Sequence, residues 1–207
     1  CKGWKSVLEV ITAPTVPAVS LGEMKRHLGV TSSERDTDIE SMVDAATRWL
    51  VKRTKRAYAV TTYRLNLSEC HVPVGDFQPI CLPRPPIQSI TTVEYDPGTG
   101  SFTAITGYQL VRSEEYAYIL PAASTRWPAV ALERFDAFRV TYVAGSTAVP
   151  AEAKHCIKLI VRHWYDNGSA TMDTTNKEIE LGVKSLCRSL GTGYYANVSA
   201  YETSSDY

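Results

Sequence analysis

The sequence lacks a net charge. Its 22 Lys and Arg residues balance 22 Asp and Glu residues, so the formal net charge at pH 7 is zero. Proteins that wrap nucleic acid over their whole surface are usually strongly basic, and this class is therefore excluded. Soluble monomers usually keep their net charge away from zero, so the balance indicates a protein that ends up in an assembly.

The sequence also lacks the signatures of disordered, membrane-spanning and secreted proteins. It is 44% hydrophobic and 21% charged, which is not the composition of a disordered chain. Its apolar runs fall short of the roughly 20 residues that span a bilayer. The segment CKGWKSVLEV at 1–10 has no apolar core of a secretory signal. We expect a soluble protein that is made in the cytoplasm and has no membrane partner.

Cysteine is sparse, and the usual catalytic motifs are missing. The 5 cysteines are widely spaced without a CxxC pair, which favours thiols in a reducing compartment. Cys70, His71 and Cys81 lie near one another, but zinc takes four ligands and a fourth is not evident. The sequence has no Walker A loop and no GxSxG elbow. We therefore expect no catalytic residues, no metal and no cofactor.

Two helices are predicted near the start of the chain. Ser20 and Glu23 have the spacing of a capping box, and Gly29 marks the end of a short helix. A second helix is predicted from Asp36 to about Tyr58. Apolar residues recur along it at helical spacing and predict a buried face made of Ile39, Met42, Val43, Ala46, Trp49 and Leu50.

The hydrophobic period changes to two after residue 60. Alternating or β-rich segments predict antiparallel strands at 60–67, 87–95, 108–112, 116–120 and 138–145. The glycine-rich run at 96–100 lies between two of these segments. It therefore predicts a hairpin turn, because a phosphate-binding loop of this kind leads into a helix N-terminus.

Helices return after Pro150, and the chain ends in a polar tail. One helix is predicted to end at Asn167-Gly168, with a further helix at about 178–190. The further helix carries a narrow apolar stripe, typical of a helix that pairs with one other helix. The stripe consists of Ile179, Val183, Leu186 and Leu190. The tail at 191–207 cannot bury much on its own, and we expect it to be extended until a partner binds it.

The order of these elements predicts an α+β fold. We expect a small bundle of about four helices with an inserted antiparallel β domain and an extended C-terminal tail. The predicted divisions are an N-terminal lead-in at 1–19, helical core at 20–58 and 149–190, a β insertion at 59–148, and the tail at 191–207.

Two segments stand out as candidates for binding. The end of the second helix has five cations and no acid, namely Arg48, Lys52, Arg53, Lys55 and Arg56. Four of them, all except Arg53, are predicted to share one helical arc opposite the apolar face. Three interpretations stay open for this arc: a solvated surface, a contact with acids of a partner, or a contact with DNA phosphates.

The tail is the second candidate. It carries Tyr194, Tyr195, Tyr201 and Tyr207 among few other apolar residues. Tyrosine is enriched at interfaces because it offers a large contact area at a low entropic cost. The tail is therefore either a disordered end or a segment that docks onto a partner protein.

Several segments, in order, resemble the head–tail connector (adaptor) proteins of tailed bacteriophages and gene transfer agents. The resemblance covers about residues 17–190, and its specificity comes from the succession of segments rather than from any single motif. The segments are SLGEMKRHLGV at 20–30, DTDIESMVDAATRWLVKRTKRAY at 36–58, ICLPRPPIQSITTVEY at 80–95, RWPAV at 126–130, FRVTYVAG at 138–145 and VPAEAKHCIKLIVRHWYDNG at 149–168.

This resemblance implies a structural protein and not an enzyme. Family members form a ring beneath the portal, usually of twelve copies, which extends the DNA channel and receives the tail or a stopper protein. The implied partners are other copies of the chain, the portal protein, the tail or stopper protein, and genomic DNA that passes without sequence readout.

The resemblance also implies a location in the virion neck after synthesis in the host cytoplasm. In relatives the C-terminal segment reaches toward the portal, which implies that role for the four tail tyrosines. A nucleic-acid-binding module that uses the cations at 48–56 stays as the alternative.

Overall fold

The structure is a computed structural model that describes residues 6–68, 72, 78–131, 134–166 and 190. The chain divides into two compact units. The described part of the helical unit comprises Pro14–Ala59 together with 146–166 and Leu190. The described part of the sheet unit comprises 6–13 and the described residues of Val60–Gly145.

Three helices are present in the described part of the chain. They are α1 (Leu21–Leu28), α2 (Asp36–Thr54) and α3 (Ala151–Asp166). None of them has the length and apolar character needed to cross a bilayer. The predicted helix at 178–190 lies outside the described residues apart from Leu190, which is helical. An α+β fold is therefore confirmed, whereas a bundle of four helices is not.

Helix α1 begins and ends as its sequence predicts. The Ser20 side chain accepts a hydrogen bond from the Glu23 backbone N–H at 3.3 Å, and Gly29 adopts the left-handed conformation (φ 73) that ends the helix. The Glu23 carboxylate does not complete the capping box, because it forms ion pairs with Lys154 and Lys158 on α3.

The three helices pack around one apolar core. Full burial of a Val, Leu, Ile or Met side chain contributes about 1.5–3 kcal/mol relative to an exposed one. The buried members of this core include Val19, Met24, Ile39, Val43, Ala46, Leu50, Ala153, Cys156, Ile157 and Val161. The half-buried side chain of Leu190 also packs against this cluster.

The sheet unit contains eight strands within the described residues. They are β1 (Val7–Thr12), β2 (Thr61–Leu67), β3 (Ile80–Cys81), β4 (Ile87–Tyr95), β5 (Thr103–Ala104), β6 (Tyr108–Arg112), β7 (Ala117–Pro121) and β8 (Phe138–Ala144). All pairings between them are antiparallel, as predicted.

These strands form two sheets. The first has the order β1-β2-β8-β4-β5 and the second the order β3-β7-β6. Strand β8 is central in the first sheet and buries Phe138, Val140 and Tyr142 completely. Trp127 packs edge-on against Phe138 at 5.5 Å between ring centroids, and its indole N–H donates to the Gln78 carbonyl at 2.8 Å. The core of this unit is thus built around β8.

The five predicted strands are confirmed to within one residue at each end. Strands β1, β3 and β5 were not predicted from the sequence. Strands β3 and β5 have 2 residues each, too short for a period of two to be visible. Strand β1 falls in the segment expected to be a lead-in, and it is a strand because it pairs with β2 in register from Val7↔Asn66 to Thr12↔Thr62.

Candidate assembly surfaces

The cations predicted to share one helical arc divide between α2 and the segment after it. Arg48 and Lys52 lie on the exposed side of the helix. The helix ends at Thr54, so Lys55 is its C-cap in the left-handed region (φ 58) and Arg56 lies beyond the helix. Lys55 and Arg56 are half-buried. The prediction of one arc of four cations is therefore wrong, as is the predicted helix end near Tyr58.

Burial of Tyr58 explains why α2 ends early. On a continuous helix, residue 58 would lie five turns after Glu40 and on the same exposed side, at about 3.6 residues per turn. Instead the chain leaves the helix, and Tyr58 is 2% exposed. Its hydroxyl donates to the Thr54 hydroxyl oxygen at 2.9 Å, and the Thr54 hydroxyl donates to the Leu50 carbonyl at 2.8 Å. These bonds fix the turn at the end of α2.

Trp49 lies at the surface and not in the core. Its side chain is 41% exposed, whereas the next residue, Leu50, is fully buried. One residue rotates the side chain by about 100° around the helix axis, which moves Trp49 off the buried face. The prediction of a core role is therefore wrong for Trp49 and confirmed for Leu50. An exposed tryptophan is a candidate contact residue because tryptophan is enriched at interface hot spots.

Helix α2 separates its exposed charges along its length. We call the exposed acids of its first half the acidic half, which consists of Asp38, Glu40 and Asp44. We call the exposed cations of its second half the basic half, which consists of Arg48, Lys52 and Arg53. The two halves meet at an ion pair between Asp44 and Arg48, whose atoms are 2.8 Å apart.

Strand β1 is a second exposed surface, which was not predicted from the sequence. It lies at the edge of its sheet and exposes Val7 (40%), Val10 (58%) and Ile11 (44%). Natural proteins usually protect such apolar edges with charges, prolines or a covering segment. The run of β-branched residues in VLEVIT was the signal that could have identified this strand.

The predicted hairpin turn at 96–100 is confirmed, and a buried carboxylate holds it. One oxygen of Asp96 accepts hydrogen bonds from the backbone N–H groups of Gly98, Thr99 and Gly100 at 2.8, 3.0 and 3.1 Å. The other oxygen accepts from the Arg134 guanidinium at 2.5 Å. Burial alone would raise the pKa of Asp96, but these donors outweigh burial and keep it below its usual value.

Arg134 links the Asp96 carboxylate to a larger cluster of charged side chains. Its Nε donates to Asp136 at 2.5 Å, and Arg139 donates to the same carboxylate. The Phe102 ring lies 4.8 Å from the Arg134 guanidinium and 3.7 Å from that of Arg139. Hydrogen bonds from Arg134 lower the pKa of Asp136 against the opposing effect of burial. The cluster ties the hairpin turn to the segment that enters β8, which makes it structural in character.

A second group of charges connects α1 and α3. The Glu23 carboxylate lies 2.7 Å from the Lys158 ammonium and 3.4 Å from that of Lys154. The hydrogen bond from Lys158 lowers the pKa of Glu23, with burial opposing it. Partial burial lowers the pKa of His27, and the charges of Lys158 and Arg162 lower it further. Glu23 thus holds two helices together at the surface.

Several predicted site residues lie outside the described residues. They are the tail tyrosines Tyr194, Tyr195, Tyr201 and Tyr207, and the stripe residues Ile179, Val183 and Leu186. Cys70 and His71, which lie near Cys81 in the sequence, are also outside the described residues. Within the residues that the structure does describe, no group of three or more His, Cys, Asp or Glu side chains could hold a metal ion.

The chain shares its fold with chains from structures of gene transfer agent (GTA) particles. A chain in the virion of a native GTA particle is 20% identical, with a TM-score of 0.72. Chains in the neck of an empty particle, computed with C6 symmetry, and of a native particle, computed with C12 symmetry, are 20% and 19% identical, each with a TM-score of 0.70. Each match covers 90% of this chain and 95% of the other.

No protein-family model matches the chain, and no curated protein matches its sequence. At 19–20% identity the structural matches establish the fold. That fold is the one that the resemblance to head–tail connector proteins implies, so the resemblance is confirmed at the level of fold.

Proposed function

We propose that this chain is a structural subunit in the neck of a phage-like particle. Its copies form a ring beneath the portal that extends the DNA channel and offers an attachment surface to the tail or the next neck protein. The observation that carries the proposal is the fold shared with GTA neck chains over 90% of this chain and 95% of theirs. The ordered sequence resemblance along residues 17–190 supports it independently.

The proposed ring rests on the symmetry of the structural neighbours. The two neck structures were computed with C6 and C12 symmetry. A cyclic ring joins one patch of each copy to a different patch of the next, and the rotation closes the assembly. Twelve copies are the number we propose. Because many contacts act together in a ring, each contact can be modest.

The C-terminal region provides the portal attachment in this proposal. Tyr194, Tyr195, Tyr201 and Tyr207 dock onto the portal, and the stripe that ends at Leu190 closes either the helical core or a contact with the adjacent copy. The packing of Leu190 against the described helical core supports the first of these roles for the stripe. The chain acts in the virion neck after synthesis in the host cytoplasm, and it performs no catalysis.

Ring formation and portal attachment test the proposal. Light scattering and negative-stain microscopy of the purified chain, with and without the portal protein of the same particle, should show rings or portal-bound rings. Portal must be included because an adaptor can be monomeric until it meets the portal. A chain that remains monomeric and ignores the portal contradicts the proposal.

Deletion of residues 191–207 tests the role of the tail. The shortened chain should keep its circular dichroism spectrum and lose most of its attachment to portal in co-sedimentation. A full-length variant with the four tail tyrosines changed to Ser is the matched control for chain length, and it should lose attachment as well. Unchanged attachment of both variants contradicts the assignment.

A nucleic-acid-binding module is the second candidate, favoured by the exposed cations Arg48, Lys52 and Arg53. Direct phosphate contacts would give a duplex affinity that falls steeply with salt, with a slope of about −0.9 per phosphate neutralised. A titration of duplex DNA at several salt concentrations measures this slope. A flat response excludes this candidate and leaves the structural proposal in place.

A further inference from the structure

The five-stranded sheet has an open edge on each side. On one side, β1 pairs with β2 and with no other strand in the described part of the chain. On the other side, β5 pairs with β4 at Glu94 and Tyr95. The stretch 88–92 of β4 therefore pairs with β8 but, among the described residues, has no strand along its outer edge. The two open edges face in opposite directions, with β2 and β8 between them.

Both edges expose side chains along their length. Val10 and Ile11 of β1 are 58% and 44% exposed. On β4 the exposed residues are Gln88, Ser89, Thr91 and Thr92. Valine, isoleucine and threonine favour strands. The backbone of an edge strand is a template for pairing with another chain, so each of these edges can accept a further strand.

We propose that the sheet continues from copy to copy around the ring, with β1 of one copy paired with the 88–92 stretch of β4 in the next. This inference rests on the proposed function, because it assumes a ring. A cyclic interface joins two different patches of the same chain. The neck structures that share this fold were computed with C6 and C12 symmetry. Two different edges that face in opposite directions can meet in such a ring.

The directions of the strands agree with this contact. Strands β1, β2, β8 and β4 alternate in direction, because each pairing between neighbours is antiparallel. Strand β1 therefore runs opposite to β4. A rotation about the ring axis keeps the direction of every strand along that axis, so it brings β1 of one copy antiparallel to β4 of its neighbour. The same rotation keeps the buried faces of all the sheets on one side of the ring.

The irregular register of both edges limits which strand can pair with them. The pairing of β1 with β2 shifts between Val10 and Thr12, and the pairing of β4 with β8 shifts twice between Ile87 and Thr92. Bulges bend a strand and protect an edge from indiscriminate pairing. Each edge should therefore select the matching edge of another copy over an arbitrary exposed strand.

Cross-linking tests which edges meet. The double variant V10C/T91C adds one thiol to each edge. Treated with a short bismaleimide under conditions of assembly, with portal present, it should give a ladder of covalent oligomers on a denaturing gel. The single variants V10C and T91C are the matched controls. Each should cross-link no more than the wild type, whose 5 cysteines set the background. A mixture of the two single variants should give covalent dimers and no longer species.

A charge placed on either edge tests whether the contact is needed for assembly. Lysine on an edge strand discourages pairing. V10K and T91K should each form at least tenfold fewer rings than the wild type, as counted by native mass spectrometry with and without portal. The control A123K adds the same charge at an exposed turn after β7 and should assemble like the wild type. Circular dichroism confirms that each variant is folded, and the cross-linking result decides alone where a lysine variant is not.

The outcomes separate this inference from the proposed function. Wild-type rings without a ladder from V10C/T91C overturn the inference alone. Folded lysine variants that assemble as well as the wild type also overturn it. Covalent dimers from V10C by itself would show that β1 pairs with β1 of another copy, which again contradicts the inference. A wild type that stays monomeric with and without portal overturns the proposed function and this inference with it.

Discussion

The two units of the chain place their charged side chains differently. The helical unit has an apolar core, and Thr54 is its one buried polar side chain among the described residues. Its charges lie on the surface, on α2 and between α1 and α3. The sheet unit buries the carboxylates of Asp96 and Asp136 and ties them to Arg134 and Arg139.

This difference separates two uses of charge. In the sheet unit, charged groups satisfy backbone donors and hold a hairpin turn, so their partners lie within the same chain. On α2 the charged side chains are exposed and sorted by sign, with acids in the first half of the helix and cations in the second. Substitutions of the buried charges in the sheet unit should therefore affect stability more than substitutions of the exposed charges on α2.

The largest expected effect on stability is at Leu50 of α2, and its exposed neighbour Trp49 provides the comparison. Leu50→Ala should lower the free energy of unfolding by about 2–5 kcal/mol, because it leaves a cavity in the helical core. Trp49→Ala should change it by less than about 1 kcal/mol, since the Trp49 side chain is 41% exposed. Urea titrations followed at 222 nm measure both values. Equal losses at the two positions would contradict the surface position of Trp49.

The next effect concerns the buried charges of the sheet unit. Asp136→Asn should cost about 2 kcal/mol, because it weakens charged hydrogen bonds from Arg134 and Arg139. Glu114→Gln removes an exposed carboxylate from the same unit and should change stability by no more than about 0.5 kcal/mol. Urea titration of both variants tests the contrast. A cost for Asp136→Asn no greater than that of the control would show that the cluster is dispensable.

Acid should weaken the sheet unit through the same cluster. The folded-state pKa values of Asp96 and Asp136 are lowered from 3.8, so their stabilising contribution is complete above about that pH. This contribution is lost as the pH falls from about 3.8 through the lower folded-state pKa values of the two carboxyl groups. Urea midpoints are measured from pH 7 to pH 2. The midpoint of the wild type should decrease below about pH 3.8, and the midpoint of Asp136→Asn should decrease less over the same range. Urea midpoints of the wild type and of Asp136→Asn that decrease by the same amount would contradict this prediction.

The smallest effect is expected for the ion pairs between α1 and α3. Glu23→Gln should cost less than about 1 kcal/mol, because Glu23 and its lysine partners are partly exposed and solvent screens the pairs. Glu152→Gln on the exposed side of α3 is the control. Thermal unfolding of both variants at low and high salt measures the difference. A cost above that of Asp136→Asn would reverse the contrast between the two units.

The sequence predicts those parts of the fold that local interactions decide. The Ser20 cap and the Gly29 stop of α1 depend on a few neighbouring residues, and both are confirmed. The end of α2 could not be predicted in this way, because Lys55 and Arg56 are good helix formers. The helix ends at Thr54 because the chain turns there to bury Tyr58. Strand β1 exists through its pairing with β2, more than fifty residues later in the sequence.

The candidate site shows the same limit. The concentration of cations at 48–56 is visible in the sequence, but which of them share a helix surface depends on where α2 ends. The exposure of Trp49 and the sorting of acids and cations on one exposed side also need the packing of the core to be known. Asp96 and Arg134 are 38 residues apart, and only the fold brings them together.

Electron cryo-microscopy of the neck of particles that contain this chain is the decisive experiment for the proposed function. The proposed function predicts a closed ring of copies between the portal and the tail, with the DNA channel passing through it. A neck without this chain, or this chain in the particle at a place other than the junction of head and tail, would overturn the proposed function.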